Sequence, residues 1–370
     1  QCAKIHNNIE VPTITGGLSI LNTKKMLTPG LVRKGITITL TIGLFTMAGL
    51  LFSSTTPATW RSLTMIHPKN ICIMLGVVIL SWLVEGWRVK TIAYLLGEQI
   101  GFIDTLRINL ATIFSGNITP LYSGSVPTQV YLLHQQGLSI GKASAIVTIR
   151  VTFTSLLVSI GGPLLLYIFR GKFLDEIGLA GLAGFLNYII LGALIFAGVL
   201  LLLLFRPAKG TFLIRRFFRL KLVQKILGTK AETLCQKLLT EGEEFRASLR
   251  TISVDKTIPV LFVVFLTFCS WISTLLIAPA VMMAFGVNIH GKFFRILLLE
   301  CVIYFLLSFV PIPGGSGVAE IGFFSLFAIY LPKHLQAISV TIWRLLSYYL
   351  NTLVGGVCFL RLFMTKQEKR

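Results

Sequence analysis

Residues 120–124 read P-L-Y-S-G and residues 313–317 read P-G-G-S-G, and these two stretches decide the fold. Arg150 follows the first after 25 residues, and Arg344 follows the second after 26 residues. After ten intervening residues, each arginine is followed by a pair of glycines, at 161–162 and at 355–356. Helix-breaking Gly and Pro at matching positions of an internal repeat are typical of the binding site of a transporter-like fold.

Composition places these stretches in a membrane. Of the 370 residues, 54% are hydrophobic and 13% are charged, whereas a soluble domain carries about 25% charged residues. The formal net charge of +20 comes from basic residues that flank the apolar runs, as expected on the cytoplasmic side of a membrane. A basic nucleic-acid-binding protein would not place its charges between apolar runs of membrane length, so that class is excluded.

The chain carries no pattern of catalysis or metal binding. Its six cysteines and five histidines lack the spacing of metal ligands. There is no phosphate-binding loop and no Ser/His/Asp arrangement. We therefore expect a transporter-like protein rather than an enzyme, with no metal and no cofactor.

The hydropathy pattern predicts an all-α polytopic membrane protein. It is expected to be an inverted repeat of four elements each, with two re-entrant broken-helix hairpins at residues 106–137 and 293–333. Each half of a hairpin is too short to cross the bilayer. The full set of predicted segments is a cytoplasmic tail (1–34), repeat 1 (35–205), a basic cytoplasmic linker (206–257), repeat 2 (258–363, its first element being 184–205) and a basic cytoplasmic tail (364–370).

Counting the crossings from a cytoplasmic N-terminus puts every strongly basic stretch, and the C-terminus, on the cytoplasmic face. The first hairpin then opens from the cytoplasm and the second from the outside, which makes the repeats inverted. The linker, residues 206–257, alternates apolar and basic residues. This pattern suits amphipathic helices on anionic inner-leaflet lipids, and equally a plain basic loop.

Two half-helices are predicted to begin at the breaks, near residues 123–127 and 314–317. Their unpaired N–H groups carry partial positive charge and would suit an anionic phosphate; the alternative is a helix break for packing alone. The candidate residues at the two breaks are Ser123, Gly124, Ser125, Gly314, Gly315, Ser316 and Gly317.

Ionisable side chains within the apolar helices are the other candidates. Arg150 and Arg344 would clamp a phosphate or carboxylate, unless they reach to the interface. Glu320 fits a capping box and also a Glu–Arg network, while Glu300 aligns with Arg107 in the repeat and suggests an ion pair between them. Three polar residues would line the cavity or form hydrogen bonds between helices: Asn117, Gln129 and Asn351.

These stretches resemble a known family. Residues 117–125 (N-I-T-P-L-Y-S-G-S), 131–139 (Y-L-L-H-Q-Q-G-L-S) and 311–320 (P-I-P-G-G-S-G-V-A-E), together with the two arginines, resemble the membrane region of the lysylphosphatidylglycerol synthase/flippase family, which includes the bacterial multiple peptide resistance factors. The resemblance covers about residues 35–363. It implies a bacterial or archaeal cytoplasmic membrane protein connected with antimicrobial peptide resistance.

The resemblance also implies a function. In that family the membrane region moves an aminoacylated phospholipid between leaflets, and a separate soluble aminoacyltransferase domain makes that lipid. The sequence lacks residues that match this domain. We therefore expect a lipid flippase for an anionic or aminoacylated phospholipid. The alternative is a membrane subunit that presents lipid to a separate synthase or glycosyltransferase, and a homo-oligomer is a further possible assembly.

Overall fold

A computed structural model describes residues 57–64, 66–161, 257–308 and 310–364, with a few further helical positions such as 45–52. Every regular element in these ranges is helical. Several predicted segments lie wholly or largely outside the described residues: the N-terminal tail, most of the span 35–53, the span 184–205, the linker 206–257 and the C-terminal tail.

The described helices follow the predicted order. They are α1 (Pro57–Thr64), α2 (Pro68–Leu95), α3 (Phe102–Asn117), α4 (Ser125–Gln135), α5 (Ile140–Leu156), α6 (Thr257–Leu275), α7 (Ile277–Ala284), α8 (Phe293–Leu307), α9 (Val318–Phe327), α10 (Lys333–Arg344) and α11 (Leu350–Met364). Two π-helical segments extend the helices that carry the arginines. Leu157–Gly161 prolongs α5, and Leu345–Tyr349 joins α10 to α11.

Three helical stretches are long and apolar enough to cross a membrane: Pro68–Leu95, Thr257–Ala284 and Lys333–Leu362. They correspond to predicted spans, and the prediction of a polytopic helical membrane protein is confirmed. Pro68 occupies the start of α2, where its fixed φ suits a helix and its missing N–H is not needed. Ser139 caps α5, because its side chain accepts a hydrogen bond from the backbone N–H of Lys142.

The helices on either side of each Pro/Gly break are short. α3 has 16 residues, which reach about 24 Å at 1.5 Å per residue, less than the roughly 30 Å of bilayer hydrocarbon. α4 has 11 residues and α9 has 10. This agrees with two broken hairpins, α3–α4 and α8–α9. Their re-entrant course and the inverted orientation of the two repeats stay predictions.

Apolar packing surrounds each hairpin separately. One cluster contains residues of α3, α4, α5 and the second half of α2. The other contains residues of the four helices α7, α8, α9 and α10, together with Met74 and Val78 of α2. Helix α11 packs along α3 through its glycines. A Cβ at Gly355 would lie 2.4 Å from the carbonyl oxygen of Leu110, so this close approach requires glycine. The two hairpins are thus held against each other by α2 and α11.

Candidate functional site

The two helix breaks begin with the same backbone shape and lie against each other. Pro120 begins one turn of 3-10 helix and Pro313 begins the other. The next two residues have left-handed φ angles in both turns. These angles are 53° and 57° at Leu121 and Tyr122, and 63° and 61° at Gly314 and Gly315. The matching sequence punctuation therefore corresponds to a matching local structure.

The first turn adopts this shape without glycine. Left-handed φ costs a non-glycine residue roughly 1–2 kcal/mol, so Leu121 and Tyr122 are strained. Packing holds them there: the Tyr122 ring covers Gly116, where a Cβ would lie 2.3 Å from the ring. At the second turn the roles are reversed: Gly314 belongs to the turn, and a Cβ there would lie 2.4 Å from the ring of Tyr348, in the segment between α10 and α11. Tyr348 also donates to the carbonyl oxygen of Asn117, 3.0 Å away, and so ties the two breaks together.

At the second break every charge is paired. Arg344 donates from Nε to Glu320 Oε1 at 2.7 Å and from Nη2 to the carbonyl oxygen of Gly314 at 2.6 Å. Glu320 Oε2 accepts from the backbone N–H of Gly317 at 2.6 Å. Both interpretations of Glu320, as helix cap and as partner of Arg344, describe the contacts it makes. The carboxylate already occupies the start of α9, so an anionic ligand there would have to displace it.

At the first break Arg150 belongs to a larger charged group, which we call the Glu85 cluster (Glu85, Arg88, Arg150, Thr154 and Ser270). Glu85 Oε1 lies 2.9 Å from Arg150 Nη1, and Glu85 Oε2 lies 3.0 Å from Arg88 Nη1. Ser270 also donates to Glu85 Oε2, at 2.8 Å. Arg88 Nη2 donates to Thr154 Oγ1 at 2.6 Å. Two guanidinium groups thus share one carboxylate, and the cluster carries a net charge of +1.

This positive charge is buried. Arg88 is 2% exposed, Glu85 is 8% exposed, and the Arg150 side chain is 13% exposed. The Nε atoms of both arginines have no acceptor among the residues that the structure describes. Glu85 and Arg150 lie within electrostatic range of Tyr122 in the first turn. An uncompensated buried cation is costly, and a bound anion would balance it.

The start of α4 differs from the start of α9 in charge. The first turn of α4 contains no acidic residue, whereas that of α9 contains Glu320. Gly124 and Ser125 are tied into the first turn: Gly124 N–H donates to Thr119 Oγ1, and Ser125 Oγ donates to the carbonyl oxygen of Tyr122. Ser123 is exposed. The partial positive charge of this helix end therefore has no carboxylate of its own.

Several predicted polar residues hold helices together. Asn117 Nδ2 donates to Thr352 Oγ1 at 2.8 Å, which joins α3 to α11. Asn351 Oδ1 accepts from the Trp82 indole, which joins α11 to α2. Gln129 is fully buried, and its amide has no partner among the described residues. Ser316 is buried in the second turn, beside the paired Gly317.

The predicted ion pair of Glu300 with Arg107 does not form. Arg107 is exposed on α3, while Glu300 is fully buried in the second apolar cluster. Glu300 Oε1 instead accepts from the Trp343 indole at 2.8 Å. Glu300 and Arg107 match in position along the two repeats, but Glu300 lies on a buried face of its helix and Arg107 on an exposed face.

Sequence reasoning missed Glu85 and Arg88. Their signal was an acid and a base three residues apart inside a long apolar helix, which places both on one face. The residues Arg150 and Arg344 were predicted, and both are largely buried and paired with carboxylates. Within the described ranges, no three His, Cys, Asp or Glu side chains gather as a metal site would require.

Comparison with known proteins agrees with this architecture. A family model described as the lysylphosphatidylglycerol synthase TM region matches residues 35–355. The chain is also 28% identical over 279 residues to a protein of Archaeoglobus fulgidus described as a UPF0104 membrane protein. That alignment covers 75% of this chain and 81% of the relative.

Proposed function

We propose that this chain, which belongs to the family of lysylphosphatidylglycerol synthase transmembrane regions, is a lipid translocase that moves a phosphate-bearing headgroup between leaflets. The observation that carries the proposal is the Glu85 cluster, a buried net charge of +1 beside two touching helix breaks. A protein that only spans the membrane gains nothing from such a charge, since burying it costs about 2.5–3.5 kcal/mol on insertion scales.

A lipid phosphate would complete the cluster. Its negative charge balances the second guanidinium, and the planar arginine fork suits phosphate oxygens. The unpaired Nε atoms of Arg88 and Arg150 supply two donors. The start of α4 adds backbone dipole without a competing carboxylate. The first break is thus the binding side of the site.

The second break would act as the closed side. Arg344, Glu320 and Gly314 satisfy one another, so this turn offers no free charge to a headgroup in the present state. A phosphate that reached it would exchange for Glu320 on Arg344. An aminoacylated headgroup would bring an ammonium that the released Glu320 carboxylate could accept. Exchange of this kind links headgroup movement to the pairing of one buried salt bridge.

Reconstitution into liposomes tests the proposal. Purified protein is mixed with phosphatidylglycerol and a trace of fluorescent phosphatidylglycerol, and the fraction of probe that becomes accessible to a membrane-impermeant quencher is followed. Arg150→Ala should slow exchange at least about tenfold, the loss of about 1.4 kcal/mol of phosphate interaction. Arg150→Lys should retain part of the rate, because it keeps the charge but not the fork.

Arg107→Ala is the matched control. It removes an exposed arginine from α3 and should exchange lipid at the wild-type rate. Normal exchange by a folded Arg150→Ala protein would remove the cluster from the mechanism. Failure of the wild-type protein to exchange any phospholipid would contradict the proposed function itself.

A second candidate is a membrane subunit that presents lipid to a separate synthase. It is favoured by the family description, which concerns the membrane region of a lipid-modifying enzyme. In that case the wild-type protein would bind phospholipid without exchanging it between leaflets, and a modified lipid would form only when a synthase is present. Lipid extracts from cells with and without a co-expressed synthase would separate the two functions.

A further inference from the structure

A second feature lies next to the Glu85 cluster, namely a cavity of about 310 Å³ between the end of α5, α6 and α8. We call it the apolar cavity. The described side chains that line it are apolar or a cysteine, and they include Leu157, Trp271, Leu298 and Cys301. Gly161 lies at its wall and supplies no side chain. Such a lining cannot hold a charged or hydrated ligand, but it suits a hydrocarbon chain.

On two helices, residues of the charged cluster are followed closely by residues that line the apolar cavity. On α5, Thr154 accepts from Arg88, and Leu157, less than one turn further, lines the cavity. On α6, Ser270 donates to Glu85, and the next residue, Trp271, lines the cavity. A net positive charge and an apolar cavity thus adjoin each other within one turn of helix. A ligand that fits both has an anionic head and an apolar tail.

The two repeats differ at the equivalent place. Gly355 corresponds to Gly161, since each begins the glycine pair that follows its arginine after ten intervening residues. A Cβ at Gly355 would lie 2.4 Å from the backbone of α3, whereas the described atom nearest to a Cβ at Gly161, of Leu157, is 3.8 Å away. The second repeat has an apolar cavity of its own, of about 710 Å³, lined by Leu345, Tyr348 and Gly356 among others. That cavity lies beside the balanced Arg344–Glu320 pair, whereas the cavity at Gly161 lies beside the cluster with a net positive charge.

From these observations we infer that the apolar cavity binds an aliphatic chain of the same lipid whose phosphate binds the Glu85 cluster. The inference rests on the proposed function and adds a substrate requirement. The protein would recognise an anionic phosphate and one hydrocarbon chain together, and a water-soluble phosphate ester would bind far more weakly than the lipid. Within the bilayer the chain is already out of water, so its affinity for the cavity comes from van der Waals contact with the wall.

Filling the cavity tests the inference. Gly161→Leu has room for its Cβ and places a side chain at the cavity wall, whereas Gly76→Leu adds the same side chain at an exposed position of α2 with no atom within 4 Å. Native mass spectrometry of each protein with phosphatidylglycerol measures retained lipid. We expect Gly161→Leu to retain lipid at least about tenfold more weakly, because the added side chain takes the place of part of the acyl chain. Gly76→Leu should match the wild-type protein.

A spectroscopic measurement identifies the chain in the cavity. Phosphatidylglycerol brominated in the middle of one acyl chain quenches tryptophan fluorescence on contact. Quenching should saturate at a low fraction of brominated lipid and should fall in Trp271→Phe, an aromatic replacement that keeps the ring packing on Tyr304. Competition with glycerol phosphate, which has the head but no chain, should not reduce it.

Equal lipid retention by Gly161→Leu and Gly76→Leu, or quenching that rises in proportion to brominated lipid without saturating, would mean annular lipid only and would overturn the inference. Both readouts measure binding, not exchange. If the wild-type protein binds the chain but exchanges no lipid, the proposed translocation fails and the chain site stands. If Arg150→Ala abolishes exchange while Gly161→Leu binds lipid normally, the chain site fails and the translocation stands.

Discussion

The two helix breaks begin with the same proline turn but differ in how their charges are paired. At the second break Arg344 has its own carboxylate, Glu320, and both are almost fully buried. At the first break Arg150 shares Glu85 with Arg88, which leaves one positive charge without a carboxylate among the described residues. The second turn is built from glycines, whereas the first forces Leu121 and Tyr122 into a left-handed shape. Within the part of the chain that the structure describes, the charges of one break are balanced and those of the other are not.

This difference is informative about repeats in membrane proteins. In both copies the turn begins with proline and two left-handed residues. A tyrosine ring packs on a glycine at each turn, but the first turn supplies the tyrosine and the second supplies the glycine. The charge balance is set by residues from other helices, and the copies diverge there. The duplicated turns thus supply a common scaffold, and partners from other helices decide the charge balance of each break.

The largest difference in stability between the two breaks is expected when their arginines are replaced. Arg344→Ala should lower the free energy of unfolding by about 3–5 kcal/mol, because it leaves the fully buried Glu320 without its cation. Arg150→Ala should cost about 1.5 kcal/mol, since Glu85 keeps Arg88 and Ser270. Unfolding by SDS titration in mixed micelles measures both. Equal losses of stability would contradict the distinction between a break with balanced charges and a break with an excess positive charge.

The second test concerns the glycine pairs. Gly355→Leu should destabilise the protein by about 3 kcal/mol, since its side chain would be driven into the backbone of α3. Gly161→Leu should leave the free energy of unfolding within about 1 kcal/mol of wild type, because the cavity accepts the side chain. Thermal unfolding in detergent checks the pair, and a tolerated Gly355→Leu would show that α11 does not approach α3 so closely.

The smallest effects are expected at the turns themselves. Gly314→Ala should cost about 2 kcal/mol, because it combines a left-handed φ with a Cβ 2.4 Å from the Tyr348 ring. Leu121→Gly should stabilise the fold by about 0.5 kcal/mol, as relief of strain slightly exceeds the entropy that glycine costs. The same unfolding titration resolves the signs. A destabilised Leu121→Gly would mean that the exposed Leu121 side chain makes contacts worth more than its strain.

Sequence reasoning identified the scaffold because its signals are local. The prolines, the glycine runs and the long apolar stretches fixed the positions of both turns and of the spans on either side. The left-handed backbone of Leu121 and Tyr122 could not be predicted, because neither residue type favours it. Packing of the Tyr122 ring on Gly116 imposes it. A capping box also placed Glu320 correctly at the start of α9.

The partners of the charges were harder to predict, because they depend on helices that meet only in three dimensions. Glu85 lies 35 residues before Pro120, and the position 35 residues before Pro313 is Ala278, so a search for matching copies passes over it. Arg107 and Glu300 show the opposite error. They match in the repeat, yet one is exposed and the other is buried against Trp343. Spacing along a chain therefore predicts breaks better than it predicts pairs.

The most direct measurement is an experimental structure of the protein in a nanodisc that contains phosphatidylglycerol. We expect a lipid phosphate within hydrogen-bond distance of Arg88 or Arg150, with the Arg344–Glu320 pair intact. A structure in which Arg88 and Arg150 contact only Glu85 and its neighbours, while lipid phosphate binds Arg344 or stays at the membrane surface, would contradict it.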